Sequence, residues 1–193
     1  MSAGQPAAPQ GGSRRSWGWH PLTDRWATRI VADAGVRPGE LVLDIGAGTG
    51  ALTAPLVRAG ARVLAVELHP GRADRLAARF ADAPVTVLRI DARDLRLPHR
   101  PFRVVASPPY GIGSALLRLL LARGSRLTAA DVVLQRAVVR RWAADPGTAV
   151  SGPPMPGPML NGRWTATTGK RLPRSAFRVP PQVDSDVLVI RRR

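Results

Sequence analysis

The chain has 193 residues, 45% of them hydrophobic, enough for one folded body with a real core and too few for two large ones. It has no Cys, which excludes disulfides, thiolate zinc sites and a cysteine nucleophile, and its three scattered His suggest no metal cluster. The formal net charge is +16, and of 29 basic residues all but Lys170 are Arg. Such an excess repels itself and favours a polyanionic partner, nucleic acid ahead of a membrane surface. No apolar run nears the ~20 residues of a membrane span, and the first residues lack the apolar core of a signal peptide, so a cytoplasmic location is expected.

Residues 1–15, rich in Gly, Pro, Ala and Gln and ending on Arg14 and Arg15, read as a disordered basic leader, with one domain over 16–193. A helix is expected from Thr23 or Asp24, either of which could cap it, to Gly35. From residue 41 short apolar runs alternate with amphipathic ones. "LVLDI", "RVLAVEL", "VTVLRI", "FRVVAS" and "DVVLQ" read as strands, and "ALTAPLVRAG", "PGRADRLAARFAD", "ALLRLLLARG" and "RAVVRRWAAD" as helices. That alternation predicts an α/β fold, a mostly parallel sheet with helices on both faces. Residues 145–162, with five Pro and four Gly, read as a long mobile loop. "RWTATTGKRLP" and "DSDVLVIRRR" then supply two closing strands, seven in all.

"LDIGAGTGAL" puts Asp44, Gly46, Gly48 and Gly50 where a strand turns into a helix. Glycine lets backbone approach a ligand, and a helix N-terminus offers free N–H groups. The string fits G-x-G-x-x-A, so a dinucleotide is one reading; a plain tight turn is another. Glu67 and Asp91 end the next two strands, where one could accept ribose hydroxyls and the other an adenine amino group. Either could instead be a helix cap. The acid two residues before the first glycine, with a third strand-end acid, favours S-adenosylmethionine over NAD. Arg37 and Arg62 have no part in this reading.

"VVASPPYGIG" ends the fourth strand in a rigid elbow beside the same crevice. An exocyclic amine is a weak nucleophile because its lone pair is delocalised into the ring. Ser107 Oγ and the Pro108 carbonyl could accept from its N–H groups and restore that lone pair. Tyr110 offers a face on which a base can stack. The plainer alternative is a loop elbow with a packed tyrosine.

Together, "LVLDIGAGTGALT", "VLAVELHP", "DARDL", "VVASPPYGI", "VVLQRAVVRR" and "FRVPPQVDSDVLVIRR" resemble the rRNA adenine N6-methyltransferases, with most likeness to short actinobacterial (mycobacterial-type) Erm enzymes. The resemblance implies a Rossmann-like class I methyltransferase fold and S-adenosylmethionine as cofactor. The implied activity is methylation of an adenine in the peptidyl-transferase loop of 23S rRNA, giving macrolide–lincosamide–streptogramin B resistance. It implies that Asp44, Gly46, Gly48 and Gly50 hold the methionine part, Glu67 with Leu68 the ribose, and Asp91 with Ala92 the adenine edge. Ser107, Pro108 and Tyr110 would hold the target amine, and Phe177 would close on the target base opposite Tyr110; a core anchor is the equal alternative for Phe177.

Three departures qualify the transfer. The elbow starts with Ser107 where the family usually has Asn, and Ser-Pro-Pro-Tyr also occurs in DNA amino-methyltransferases. The family's Gln-Asn-Phe-Leu segment corresponds to "WHPL", so cofactor contacts fall to His20 and Leu22, with stacking or packing as the alternative for His20. The helical C-terminal RNA-binding domain usual in the family is expected to be absent. RNA binding would then rest on Arg14, Arg15, Trp17 and Trp19, on Arg136, Arg140 and Arg141, and on Arg191, Arg192 and Arg193. The expected partner is 23S rRNA, naked or in a partly assembled precursor, with the protein a monomer. A DNA amino-methyltransferase and a non-catalytic RNA-binding protein of the same fold are the competing readings.

Overall fold

The computed structural model describes residues 19–143 and 162–193. Seven strands form one sheet: β1 (Leu41–Ile45), β2 (Arg62–Val66), β3 (Val85–Leu88), β4 (Phe102–Ala106), β5 (Leu127–Gln135), β6 (Trp164–Leu172) and β7 (Ser185–Arg192). Their order across the sheet is β3-β2-β1-β4-β5-β7-β6. The first five are parallel, and β7 runs antiparallel to both β5 and β6. The chain runs outward from β1 to β3, then restarts at β4 on the other side of β1. That reversal opens a crevice at the carboxyl ends of β1 and β4, the usual ligand position of such sheets.

The strands are apolar on both sides because both faces are covered. Val42, Val105 and Val133 face a core with α1 (Asp24–Ala34), α2 (Thr53–Arg58) and α3 (Pro70–Arg79), through Ala27, Leu56 and Leu76. The alternate residues Leu43, Val104 and Val132 face the other core, where α4 (Gly113–Leu120) and α5 (Arg136–Ala143) bring Leu117, Val139 and Trp142. Truncating a side chain as buried as Leu117 or Phe102 costs about 2–5 kcal/mol by this kind of packing.

The expected elements are present, with boundaries set by tertiary context. Helix α1 ends on Gly35 in the left-handed region, and Thr23 stands at its cap position without a side-chain cap bond. Instead the Thr23 N–H donates to the Ala176 carbonyl, and the Arg178 N–H to the Pro21 carbonyl. These bonds flank a bridge between Leu22 and Phe177 and tie the entry segment to the chain between β6 and β7. β5 starts at Leu127, earlier than its apolar run, because β4 and β7 pair with it on either side. The leader, with Arg14, Arg15 and Trp17, and the glycine- and proline-rich segment up to residue 161 lie outside the described residues. Among the described residues no helix is long and apolar enough to cross a membrane.

Candidate active site

The crevice encloses about 220 Å³ and is lined by the loops after β1, β2, β3 and β4 together with Trp19, His20 and Leu22. Its shape begins with Gly46, the first residue beyond β1, at φ +77°. A Cβ on Gly46 would sit 3.0 Å from Pro108 Cα and 3.1 Å from Pro109 Cδ. The glycine loop and the proline elbow are thus packed backbone to backbone, and only glycine satisfies both the dihedral and the approach. Gly50 is different. At φ +93° it faces Phe80 and Leu76, with a Cβ clash at 2.6 Å, and it does not line the crevice. Its smallness serves packing against α3 rather than a ligand, a correction to the expected role.

Three acids stand along the crevice, in three environments. Asp44 on β1 is buried, accepts from Thr53 Oγ1 at 2.6 Å through Oδ2, and leaves Oδ1 without a partner. Burial pushes its carboxyl up to about 7; the Thr53 hydrogen bond opposes that shift, and the charge of Glu67 adds to it. Glu67, just beyond β2, is also buried, and its Oε2 accepts the Gly48 N–H at 2.8 Å. Its Oε1 accepts the His69 N–H at 2.9 Å and the Arg72 guanidinium at 2.9 and 3.0 Å. Asp91, three residues past β3, caps the short turn Ala92–Asp94 and pairs with Arg93 at 2.7 Å. Hydrogen bonds from Arg93 hold the Asp91 carboxyl below its ordinary value.

The elbow divides its residues. Ser107 and Pro109 line the crevice, whereas Pro108 is buried behind the Gly46 loop. Tyr110 hydrogen-bonds through its hydroxyl to Ser185 Oγ on β7, and burial raises its phenol above the ordinary value. Its ring stacks on His20, centroids 5.6 Å apart at 28°. His20 is held in turn by Nδ1, which donates to the Val179 carbonyl at 3.0 Å. The stacking surface expected of Tyr110 is therefore present and carries His20.

Several expected roles do not match the placements. Phe177 is buried at 4% exposure in the core around α1 and β7 and does not line the crevice, because its backbone pairs with Leu22. Trp19, expected on an RNA-binding arm, lies in the crevice under the Arg72 guanidinium, 5.3 Å from the ring centroid. Arg136 pairs with Asp184 and Asp186, and Arg191 with Asp131, so both tie β5 to β7 and the segment before it. Arg140, Arg192 and Arg193 are exposed and Arg141 half-buried. Leu22, Leu68 and Ala92 do line the crevice. Arg72, Thr53 and Ser185 were not singled out in the sequence; Arg72 was detectable as a cation in the first turn of the helix following Glu67.

A family model for ribosomal RNA adenine dimethylases matches residues 12–193. The chain belongs to the ribosomal RNA adenine dimethylase family. It is 41% identical over 164 residues to the ribosomal RNA small subunit methyltransferase A of Leifsonia xyli, covering 81% of this chain and 58% of that protein. It is 33% identical over 186 residues to an rRNA adenine N-6-methyltransferase of Corynebacterium diphtheriae, covering 94% of this chain and 70% of that protein. The chain thus spans about three fifths of the first relative's length and seven tenths of the second's. The crystal structure of the 23S rRNA methyltransferase ErmE superposes with a TM-score of 0.78 at 29% identity, covering 90% of this chain and 70% of that one. A dimethyladenosine transferase of Plasmodium falciparum, at 24% identity and a TM-score of 0.77, shares the fold. The family's fold is the Rossmann-like one of S-adenosylmethionine-dependent methyltransferases, as expected from the sequence.

Proposed function

We propose that the chain is an S-adenosylmethionine-dependent rRNA adenine N6-methyltransferase acting on 23S rRNA, with macrolide–lincosamide–streptogramin B resistance as its consequence. The observation that carries the proposal is the backbone contact between the Gly46 loop and the Ser107–Tyr110 elbow, which joins a nucleoside crevice to an amine-orienting loop. The crevice suits the cofactor chemically. The unpartnered Asp44 Oδ1 is a buried acceptor facing a site for a cation, and Glu67 and Asp91 offer acceptors for ribose and adenine. Leu68 adds an exposed apolar surface at the rim. When bound, S-adenosylmethionine supplies an electrophilic methyl group.

The chain's own part is positioning. Asp44 holds the amino acid part, while the N–H groups of Gly46 and Ala47 are spent on the Val66 carbonyl and that of Gly48 on Glu67 Oε2, which fixes the loop beneath it. Glu67 takes the ribose hydroxyls in place of the Arg72 guanidinium it now binds, since its two oxygens already accept four N–H donors. Ser107 Oγ and the Pro108 carbonyl accept from the adenine N6 hydrogens, which pulls the nitrogen from planar toward tetrahedral and localises its lone pair for attack. Tyr110 stacks on the target base once His20 gives up its place. The proton left on nitrogen after transfer goes to water, so no general base is required.

A second reading, small-subunit rRNA as substrate, is favoured by the likeness to the ribosomal RNA small subunit methyltransferase A of Leifsonia xyli. Mass spectrometry of adenines in 23S and 16S rRNA after expression in a host lacking both modifications separates the two. N6-methyladenine in the peptidyl-transferase loop supports the first, and a small-subunit product the second. With Ser107 in place of Asn, the main product expected is the monomethyl form.

A further inference from the structure

At the end of the sheet opposite the crevice, two adjoining grooves run past the starts of β1 to β5 and the end of β7. Arg62 and Arg100 line both, Arg96 one, and Arg37, Arg103, Arg191 and Arg192 the other. The only carboxylate among these lining residues is Glu40. Burial pushes its carboxyl up, but the Arg37 N–H and the Arg103 and Arg37 guanidiniums together favour the ionised form and hold it below the ordinary value. Asp131 neutralises Arg191. Arg62, Arg96, Arg100 and Arg192 are exposed and make no ion pair among the described residues.

This cluster contributes nothing to the crevice. β1 has five residues, which puts the two ends of the sheet about 13 Å apart. A row of four uncompensated guanidiniums around Leu41 and Phe102 costs the free protein repulsion and is complementary to a row of phosphates. Guanidinium forks bind phosphate oxygens bidentately, and the one aromatic among the lining residues, Phe102, is buried and offers no face for stacking bases, so the contact is to the backbone and indifferent to sequence.

We propose that this arginine groove is a second RNA-binding surface, which grips the phosphate backbone of a segment of structured RNA distant from the nucleotide in the crevice. The proposal rests on the rRNA substrate reading above for its ligand, and not on the methyl transfer itself. One long RNA then touches both ends of the sheet, and the groove adds affinity and orientation without contributing to chemistry.

The test measures binding of a 23S rRNA transcript covering the peptidyl-transferase loop, over a range of salt concentrations. The wild-type chain is compared with the triple variant Arg62→Gln/Arg100→Gln/Arg192→Gln. A control triple variant, Arg25→Gln/Arg75→Gln/Arg118→Gln, removes the same charge from exposed positions elsewhere. Each phosphate contact contributes about 0.7–0.9 to the slope of log affinity against log salt. The groove variant is expected to lose roughly 2–3 units of slope and about tenfold or more in affinity near physiological salt, again through lost phosphate contacts. The control should lose much less, and cofactor affinity by calorimetry should be the same in all three. Lysine at the three groove positions restores most of the slope. The single glutamine variants, each expected to lose one contact, give the same readout if the triple variant folds poorly.

Equal losses in the groove and control variants would overturn the proposal in favour of diffuse charge. Unchanged slopes would overturn it in favour of another occupant, such as an acidic protein. Methyl transfer is assayed in parallel with the wild-type chain. Transfer with unchanged slopes refutes the groove alone, and groove-dependent binding with no transfer to adenine refutes the methyltransferase reading alone.

Discussion

The two ends of one mostly parallel sheet carry opposite charges. At the carboxyl ends of β1, β2 and β3 stand Asp44, Glu67 and Asp91; at the amino ends stand Arg62, Arg96 and Arg100. The acids are held by specific donors: the Thr53 hydroxyl, the Gly48 and His69 N–H groups, and Arg93. Most of the arginines at the other end answer to solvent. A parallel sheet imposes the first pattern, since every crossing from strand to helix leaves free N–H groups at that end, where anions are favoured and a small ligand can be enclosed. Nothing in the fold requires the second. The acid end is therefore a matter of geometry and the arginine end one of field strength, and substitutions should separate them.

The largest expected effect lies at Asp44. In the unfolded chain its carboxyl titrates near its ordinary value of 3.8, and in the folded protein near 7. The folded state then keeps a proton that the unfolded chain releases. This contribution to stability is whole below about pH 4 and is lost as pH rises through about 7. At 1.36 kcal/mol for each unit of difference, the window is worth at most roughly 4 kcal/mol. Asp44→Asn should flatten the decline of stability between about pH 4 and pH 7 in denaturant unfolding while weakening cofactor binding. An unchanged slope would show Asp44 ionised in the free protein.

Next comes Gly46. Gly46→Ala places a methyl group 3.0 Å from Pro108 Cα at a positive φ, and should cost about 3 kcal/mol through strain and overpacking. Thermal unfolding gives that cost, and methyl transfer should fall further than stability does because the elbow is displaced. Glu67→Gln removes the charge to which ribose hydroxyls would donate, and should weaken cofactor binding about 10- to 100-fold, measured by calorimetry. The smallest effect is at Tyr110→Phe, which gives up the hydrogen bond to Ser185 for about 1 kcal/mol of stability. Cofactor affinity should stay unchanged there and the rate of methyl transfer should fall; an unchanged rate would make the Tyr110–Ser185 contact purely structural.

The acid end was legible in the sequence because its signals are local. Strand period, glycine spacing and an acid at a strand end lie within a few residues of one another, so Asp44, Gly46, Glu67 and Ser107 were found together. What the sequence concealed depends on contacts across long separations. Gly50 looks like Gly46 until Phe80, thirty positions on, occupies the space above it. Trp19 reads as part of a basic arm and His20 as a cofactor contact or a stacking residue, yet the Leu22–Phe177 bridge draws both to the crevice and buries Phe177 in the same stroke. Arg136 and Arg191 count as free cations in a charge run until Asp184, Asp186 and Asp131 meet them across β5 and β7. Arg37 and Arg62 show the reverse: without a motif in the sequence, they become part of a surface once the strand starts line up.

The central claim is that the crevice and the elbow together methylate adenine N6 in 23S rRNA. Its most direct test incubates the protein with S-adenosylmethionine carrying a labelled methyl group and, separately, with 23S and 16S rRNA, then identifies labelled nucleosides by mass spectrometry. The account predicts label in N6-methyladenosine from the peptidyl-transferase loop of 23S rRNA, lost in Tyr110→Ala with cofactor binding intact. Labelled adenosine confined to 16S rRNA, or cofactor binding without labelled adenosine in either RNA, would contradict it.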